Sequence, residues 1–163
     1  MDGLVERLEL SLKDFPLNLP SNDPTPFKIF RHKVPERLNK KFSRANKDTH
    51  NDVYPFCVVK IDTGLKEANI SNQESHFNLI IGIKNEGQEG QGCDDVTACI
   101  QKIWNDLNAN PVIAKFHKFK YPLEWALDDK DDETHPFYYG VIKLTIESHS
   151  MQYVGGFESG ERY

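Results

Sequence analysis

The sequence predicts an α+β fold: a mostly antiparallel sheet of about five strands with two helices packed on it, in the order α-β-β-β-α-β-β. Three observations predict this class. Two segments repeat apolar residues at helical spacing, two short runs are almost wholly apolar, and two later segments read as strands whose apolar residues largely alternate with polar ones. Helices packed on one sheet are a standard way to bury such faces.

The first helix is predicted from Leu4 to Phe15. Its apolar residues recur every three or four positions, and acidic or basic residues occupy the other side. Pro16 ends the helix because proline lacks the N–H that a helix interior needs. The apolar set is Leu4, Val5, Leu8, Leu12 and Phe15.

The second helix has the clearest periodicity in the chain. A glycine-rich turn precedes it, and either Asp94 or Asp95 could accept the unpaired N–H groups of its first turn. Asn110 and Pro111 close it. The residues predicted to face the core are Val96, Cys99, Ile100, Ile103, Trp104 and Leu107.

Three strands are predicted before the second helix. The first is Lys28 to Val34, and the next two are the apolar runs Phe56 to Ile61 and Phe77 to Ile83, which we expect at the centre of the sheet. Glycine inside a strand indicates a bulge or a close backbone contact, and Gly82 is such a residue.

Two strands follow the second helix, and we expect them to pair as a hairpin across the acidic turn from Asp128 to Thr134. The last strand lies within Phe137 to Glu147. In the strand before it every second residue is apolar, which predicts one buried face. That set is Phe119, Tyr121, Leu123, Trp125 and Leu127.

The 163 residues suit one domain, predicted over residues 1–149 with a basic loop at about 35–52 and a flexible tail at 150–163. Charged residues form 28% and apolar residues 38% of the chain, a globular balance. The start resembles no secretory signal, and no apolar run approaches the length of a membrane span, so we expect a cytoplasmic protein without a membrane partner. Cys57, Cys93 and Cys99 lack zinc-ligand spacing and suit reduced, buried thiols.

The sequence offers no catalytic, cofactor-binding or metal-binding motif, so we expect a protein that is not an enzyme. Gly87, Gly90 and Gly92 lie where a phosphate-binding loop could lie, but carboxylates follow them instead of the lysine and hydroxyl that phosphate and magnesium require. The acidic turn lacks the register of a calcium loop, and the six histidines have no repeated spacing. An ordered metal in the turn is the less favoured alternative.

The distribution of charge is uneven along the chain. Overall there are 20 Lys and Arg against 25 Asp and Glu, which argues against a protein that coats nucleic acid. Between Lys28 and Lys47, however, Glu36 is the only acid among eight basic residues. This stretch is a solvated loop, a surface for an acidic partner, or a contact for DNA phosphates. The candidate subunit or partner contacts are Arg37, Lys40, Lys41 and Arg44, with Asp129, Asp131 and Asp132 of the acidic turn as an opposing set on a neighbouring subunit.

The order of these segments resembles a known family. The stretches VYPFCVVKI, FNLIIGI, DDVTACIQKIWNDLNANPVI, YPLEWAL and FYYGVIKLTIE resemble tail terminator and related minor structural proteins of long-tailed bacteriophages. The resemblance runs from Val53 to Glu147. It depends on apolar strands, an Asn-Pro helix stop and a P-L-x-W strand.

The resemblance implies a virion assembly protein that forms a ring, usually a hexamer, on the finished tail tube of a phage or prophage. Its implied partners are further copies of itself, the tail tube protein and the head completion protein, with DNA only as passing cargo. It would occupy the host cytoplasm during assembly and then the virion tail. The alternatives are another head–tail connector or neck component, a small enzyme, or a DNA-binding module, for which the second helix offers only Lys102 on its exposed face.

Overall fold

A computed structural model of the chain describes residues 1–17, 26–34, 53–67, 72–87, 90–128 and 135–149. These residues form two helices and one mostly antiparallel six-stranded sheet, so the predicted α+β class and element order are confirmed. The helices are α1, Asp2–Leu12, and α2, Gln91–Ala109. The strands are β1, Lys28–Arg31, β2, Phe56–Leu65, β3, Gln73–Lys84, β4, Val112–Ile113, β5, His117–Leu127, and β6, Phe137–Ser148.

The sheet has one strand more than predicted, because the two residues Val112–Ile113 form the short edge strand β4. Across the sheet the order is β1-β2-β3-β6-β5-β4, and only the β1–β2 pair is parallel. The predicted β5–β6 hairpin is confirmed. The prediction that β2 and β3 form the centre of the sheet is correct only for β3. The other central strand is β6, which pairs with β3 along its whole length, and β2 lies one place outward.

Both helices cover one face of this sheet, which we call the helix face. Alternate residues of β3 and β6 point into the layer between the sheet and the helices, as the two-residue period of a strand requires. The apolar faces of α1 and α2 fill the same layer. The buried residues of this core include Leu4, Leu8, Leu12, Leu79, Ile81, Ile83, Val96, Ile103, Leu107, Ile142 and Leu144. Trp104 was predicted in this set, but it is 36% exposed at the margin of the layer.

The start of α2 differs from the prediction. The helix begins at Gln91, after Gly90 in the left-handed region at φ 93°, and not at Asp94 or Asp95. Asp95 is buried instead, and its Oδ2 accepts a hydrogen bond from Asn85 Nδ2 at 2.9 Å. Buried polar groups need such partners. The pair ties the residue after β3 to the second turn of α2. The predicted end is correct, because Asn110 caps the helix.

Gly82 makes the close contact that was one of its two predicted roles. A Cβ at this position would lie 2.5 Å from a ring carbon of Phe56 on β2. The irregularity in this strand pair lies elsewhere, between Ile61 and Thr63 of β2.

The predicted buried face of β5 is only partly correct. Phe119 is buried and Leu127 is half-buried, but Tyr121 and Trp125 are 59% and 48% exposed. Both lie on β5 outside the short segment that β4 covers, and the β5–β6 register shifts between Lys120 and Glu124. Edge position therefore overrides the alternating pattern.

An ion pair joins the two helices. Arg7 of α1 donates to both carboxylate oxygens of Asp106 on α2, at 2.5 and 3.2 Å, and to the Asp106 carbonyl oxygen at 3.1 Å. Both side chains are less than one-third exposed. Such two-pronged, charge-assisted contacts are stronger than ordinary surface pairs, and the carbonyl oxygen of Asp106, which already accepts from Asn110 N–H, gains a second donor.

Arg7→Ala is expected to lower the free energy of unfolding by about 1–2 kcal/mol, since it removes hydrogen bonds to a charged and partly buried group. Arg7→Lys should recover only part of this loss, because an ammonium cannot make the two-pronged contact. Urea unfolding of both variants measures the effect, and Lys13→Ala, at the exposed residue that follows α1, is the control. Equal stability of Arg7→Ala and the control would contradict the expectation.

Candidate interaction surface

The sheet face opposite the helices, here called the outer face, has an apolar half. Residues that pair across the strands lie side by side on one face. The apolar rows are Phe56, Gly82 and Tyr139, and then Phe30, Val58, Ile80, Val141 and Ala126. Val53, Phe56 and Val58 form a small buried cluster here, separate from the main core. Tyr54 contacts Tyr139 through its hydroxyl, and burial raises the pKa of Tyr54 above its ordinary value.

The other half of the outer face is polar and charged. Its rows are Lys60, Asn78, Lys143 and Glu124, then Thr63, His76, Thr145 and Lys120, then Leu65, Glu74, Glu147 and Lys118. Lys120 Nζ lies 2.5 Å from Glu74 Oε1 and 3.7 Å from Glu147 Oε1. The hydrogen bond from Lys120 lowers the pKa of Glu74, and the same bond raises the pKa of Lys120. The outer face therefore changes from apolar to charged along the strands.

Both sheet edges are stepped. On one side β1 pairs only with Phe56–Val59, so within the described residues the Lys60–Leu65 part of β2 pairs with β3 but has no strand on its outer side. On the other side β4 pairs only with His117 and Lys118, which leaves Glu124–Leu127 of β5 without an outer neighbour among the residues described. Unpaired strand edges are sites at which other chains can add.

The predicted contact residues lie outside the described residues: Arg37, Lys40, Lys41, Arg44, Asp129, Asp131 and Asp132. So do the predicted basic loop at 35–52 and the predicted tail at 150–163, each over its whole length. The structure does place the segments that lead into them. The basic stretch starts in β1 at one edge of the sheet, and the acidic turn starts at Asp128, next to the opposite edge. The two sets of opposite charge thus start from opposite sides of the domain.

The titratable groups of the described part do not converge on one point. Among those residues no group of three or more His, Cys, Asp or Glu side chains could hold a metal ion. His76, His117 and His135 each hydrogen-bond to a different side chain, namely Thr145, Ser148 and Tyr138. Cys57 and Cys99 are buried as predicted, whereas Cys93 is half-exposed. Burial raises the pKa of the Cys57 thiol to about 12, so it stays protonated near neutral pH and is a poor nucleophile.

Sequence reasoning missed the outer face and the stepped edges. The outer face could have been found from β3, where Glu74, His76, Asn78 and Ile80 alternate with core residues. The steps could not, because strand order and register depend on which segments meet in three dimensions.

Comparison with known proteins adds no family. No protein-family model matches the chain, and no curated protein matches it significantly. None of the helices described is long and apolar enough to cross a membrane.

Proposed function

We propose that this chain is a structural protein of a phage or prophage that caps the tail tube as a ring and joins it to the head completion proteins. The observation that carries the proposal is the two-sided construction of the sheet. Both helices pack on one face, while the exposed residues of the outer face and both stepped edges stay available for contact within the described part of the chain. A ring protein of this kind needs separate surfaces for its neighbours, the tube and the connector.

The graded outer face supports an adhesive role. Its apolar half offers Ile80, Val141 and Tyr139, each partly exposed, and its charged half offers Lys60, Lys143 and Glu124. Protein interfaces combine an apolar centre that excludes water with a polar rim that fixes orientation. One face with both properties suits docking on another protein better than it suits turnover of a small molecule, which needs a concave pocket with converging polar groups.

The charge of the chain supports DNA as passing cargo. The net charge is −5, so a ring of several copies would carry a strongly negative total charge. Negative walls repel the phosphate backbone and let it slide. The proposed partners are therefore further copies of the chain, the tail tube protein and the head completion protein, with assembly in the host cytoplasm before incorporation into the virion.

Deletion of the gene from its phage or prophage tests the proposal. Without a cap the tube has no stop, so we expect overlong, irregular tails and unattached heads in negatively stained lysates, and recovery when the wild-type gene is supplied in trans. Tails of normal length detached from heads would assign the chain to the neck instead of the cap. Normal, infectious particles from the deleted phage would refute a structural role of either kind.

A further inference from the structure

We propose that copies of this chain join head to tail, with the β1 edge of one copy inserted beside the open Glu124–Leu127 segment of β5 in the next. Cap formation under the proposed function would use this contact. The same contact is expected between copies of the isolated protein. The occupant of the β5 edge is thus a second copy, which fits this edge in its position along the strands, its strand direction and its side-chain chemistry.

Strand β1 and the open segment of β5 lie at the same position along the strand direction. Following the pairing across the sheet, Arg31 lies on the same row as Val59, Leu79, Ile142 and Trp125. In the same way Ile29 shares a row with Leu127, and Phe30 shares a row with Ala126. The four residues of β1 therefore protrude at the level where β5 lacks an outer neighbour in the described chain. A second copy moved sideways, without a shift along the strands, brings β1 into that step.

Strand β4 and the part of β2 that β1 leaves uncovered also lie at the same position along the strand direction. Strand β4 pairs with Lys118, which shares a row with Glu147, Glu74 and Leu65. It therefore protrudes at the level where β2 extends beyond β1. The same sideways movement places β4 of one copy beside the Leu65 end of β2 in the other. The two stepped edges interlock, and each fills the recess of its neighbour.

Strand direction favours the contact. Strands β1 and β2 run parallel, and each of the next three neighbours across the sheet reverses direction, so β5 runs opposite to β1. A sideways neighbour consequently forms an antiparallel β1–β5 pair, the more stable arrangement of the two. The contact uses different surfaces on the two copies. Such head-to-tail contacts produce rings when the rotation between copies closes.

The side chains on matching rows are complementary. Arg31 and Trp125 both point to the helix face, and both are about half exposed. The guanidinium of Arg31 pairs with Asp2 Oδ1 of its own chain at 2.8 Å, and its flat face can stack on the indole of the next copy. Ile29 and Leu127 meet on the same face, and Phe30 meets Ala126 on the outer face. Tryptophan and arginine are the residues most enriched at the energetic centres of interfaces. Exposure of Trp125, which the alternating pattern of β5 did not predict, has a purpose in this contact.

A cysteine pair tests the contact directly. In the chain with Phe30→Cys and Ala126→Cys, which keeps Arg31 and Trp125, the two positions lie four strand spacings apart, about 19 Å, so they cannot bond within one molecule. Across the proposed antiparallel contact their Cα atoms are about 5 Å apart, within disulfide range. Mild oxidation should give a ladder of covalent multimers on non-reducing gels that ends at the ring size and collapses on reduction. The wild-type chain measures the background from its native thiols.

A pair shifted by one residue is the control. Phe30→Cys with Leu127→Cys places the two thiols on opposite faces of the same contact, so this chain should stay monomeric on the gel. Each single variant should also stay monomeric alone, whereas a mixture of Phe30→Cys and Ala126→Cys chains should give one covalent dimer. Equal ladders from the matched and shifted pairs, homodimers from either single variant, or no ladder from the matched pair would overturn the proposal. Circular dichroism checks that all variants fold.

The outcome separates this contact from the proposed function. A ladder from the matched pair, together with normal tails in the deleted phage, would leave the contact standing and remove the role in the tail. Overlong tails in the deleted phage, with no ladder, would keep the role and overturn the contact.

Discussion

Ile142→Ala is expected to lower the free energy of unfolding by roughly 2–5 kcal/mol, a large part of the 5–15 kcal/mol that stabilises a typical domain. Ile142 is fully buried on β6, one of the two central strands of the sheet, and it pairs with Leu79 of β3. Strands pair with β6 on both sides, so the backbone has little freedom to collapse into the cavity. A rigid cavity gives the upper part of this range.

The neighbouring residue provides a control for Ile142→Ala. Val141 lies next in the chain but points to the outer face, where it is only half-buried. Val141→Ala is expected to cost about 1 kcal/mol or less, because little apolar surface returns to water. Urea unfolding of the two variants measures the difference. Equal losses would mean that the assignment of the two sheet faces is wrong.

The sequence predicts where the helices and strands of this fold lie along the chain better than it predicts which strands pair with each other. Apolar periodicity locates α1, α2 and the long strands, because burial of one face depends on local spacing alone. Strand order depends on distant segments, and so the exchange of β2 for β6 at the centre was not predictable. The prediction of the start of α2 was wrong for a related reason. Asp95 has a buried partner, Asn85, and this tertiary contact prevails over its preference for capping a helix.

For the candidate contact residues, too, the sequence does not predict which distant segments meet. Charge counting predicted the basic stretch and the acidic turn as partners, and that pairing stays a prediction, since those residues lie outside the described chain. What the described residues add is position: β1 and the end of β5 lead into the two charged segments from opposite edges of the sheet. Sequence alone gives the opposite charges, and the fold adds only the sheet edges at which the two segments start.

Gly92→Ala is expected to destabilise the protein by about 2–3 kcal/mol, although alanine is the better helix former by up to about 1 kcal/mol. Gly92 lies in the first turn of α2, and a Cβ there would lie 2.0 and 2.2 Å from ring carbons of Tyr138 on β6. Tyr138 is buried, and its hydroxyl contacts His135 Nδ1 at 3.0 Å, so the ring has little room to move. The methyl group must therefore push the helix away from the sheet.

Gly64→Ala on β2 is the matched control, because the nearest atom to its added Cβ is Glu74 O at an ordinary 3.7 Å. This variant should be neutral or slightly more stable, since glycine in a strand costs about 0.5–1 kcal/mol relative to alanine. Thermal or urea unfolding compares the two. A stabilised Gly92→Ala would show that helix propensity dominates and that α2 does not lie this close to β6.

A double-mutant cycle identifies Tyr138 as the cause of the loss. Tyr138→Ala removes the ring, and Gly92→Ala added to that background should then be neutral or favourable, because only the helix preference remains. The coupling between the two changes should reach about 2–3 kcal/mol, near the upper end of what contacting residues show. An additive cycle would place the strain elsewhere in the first turn of α2. Strong coupling would establish that the fold depends on a glycine at this position to bring α2 onto the central strand β6.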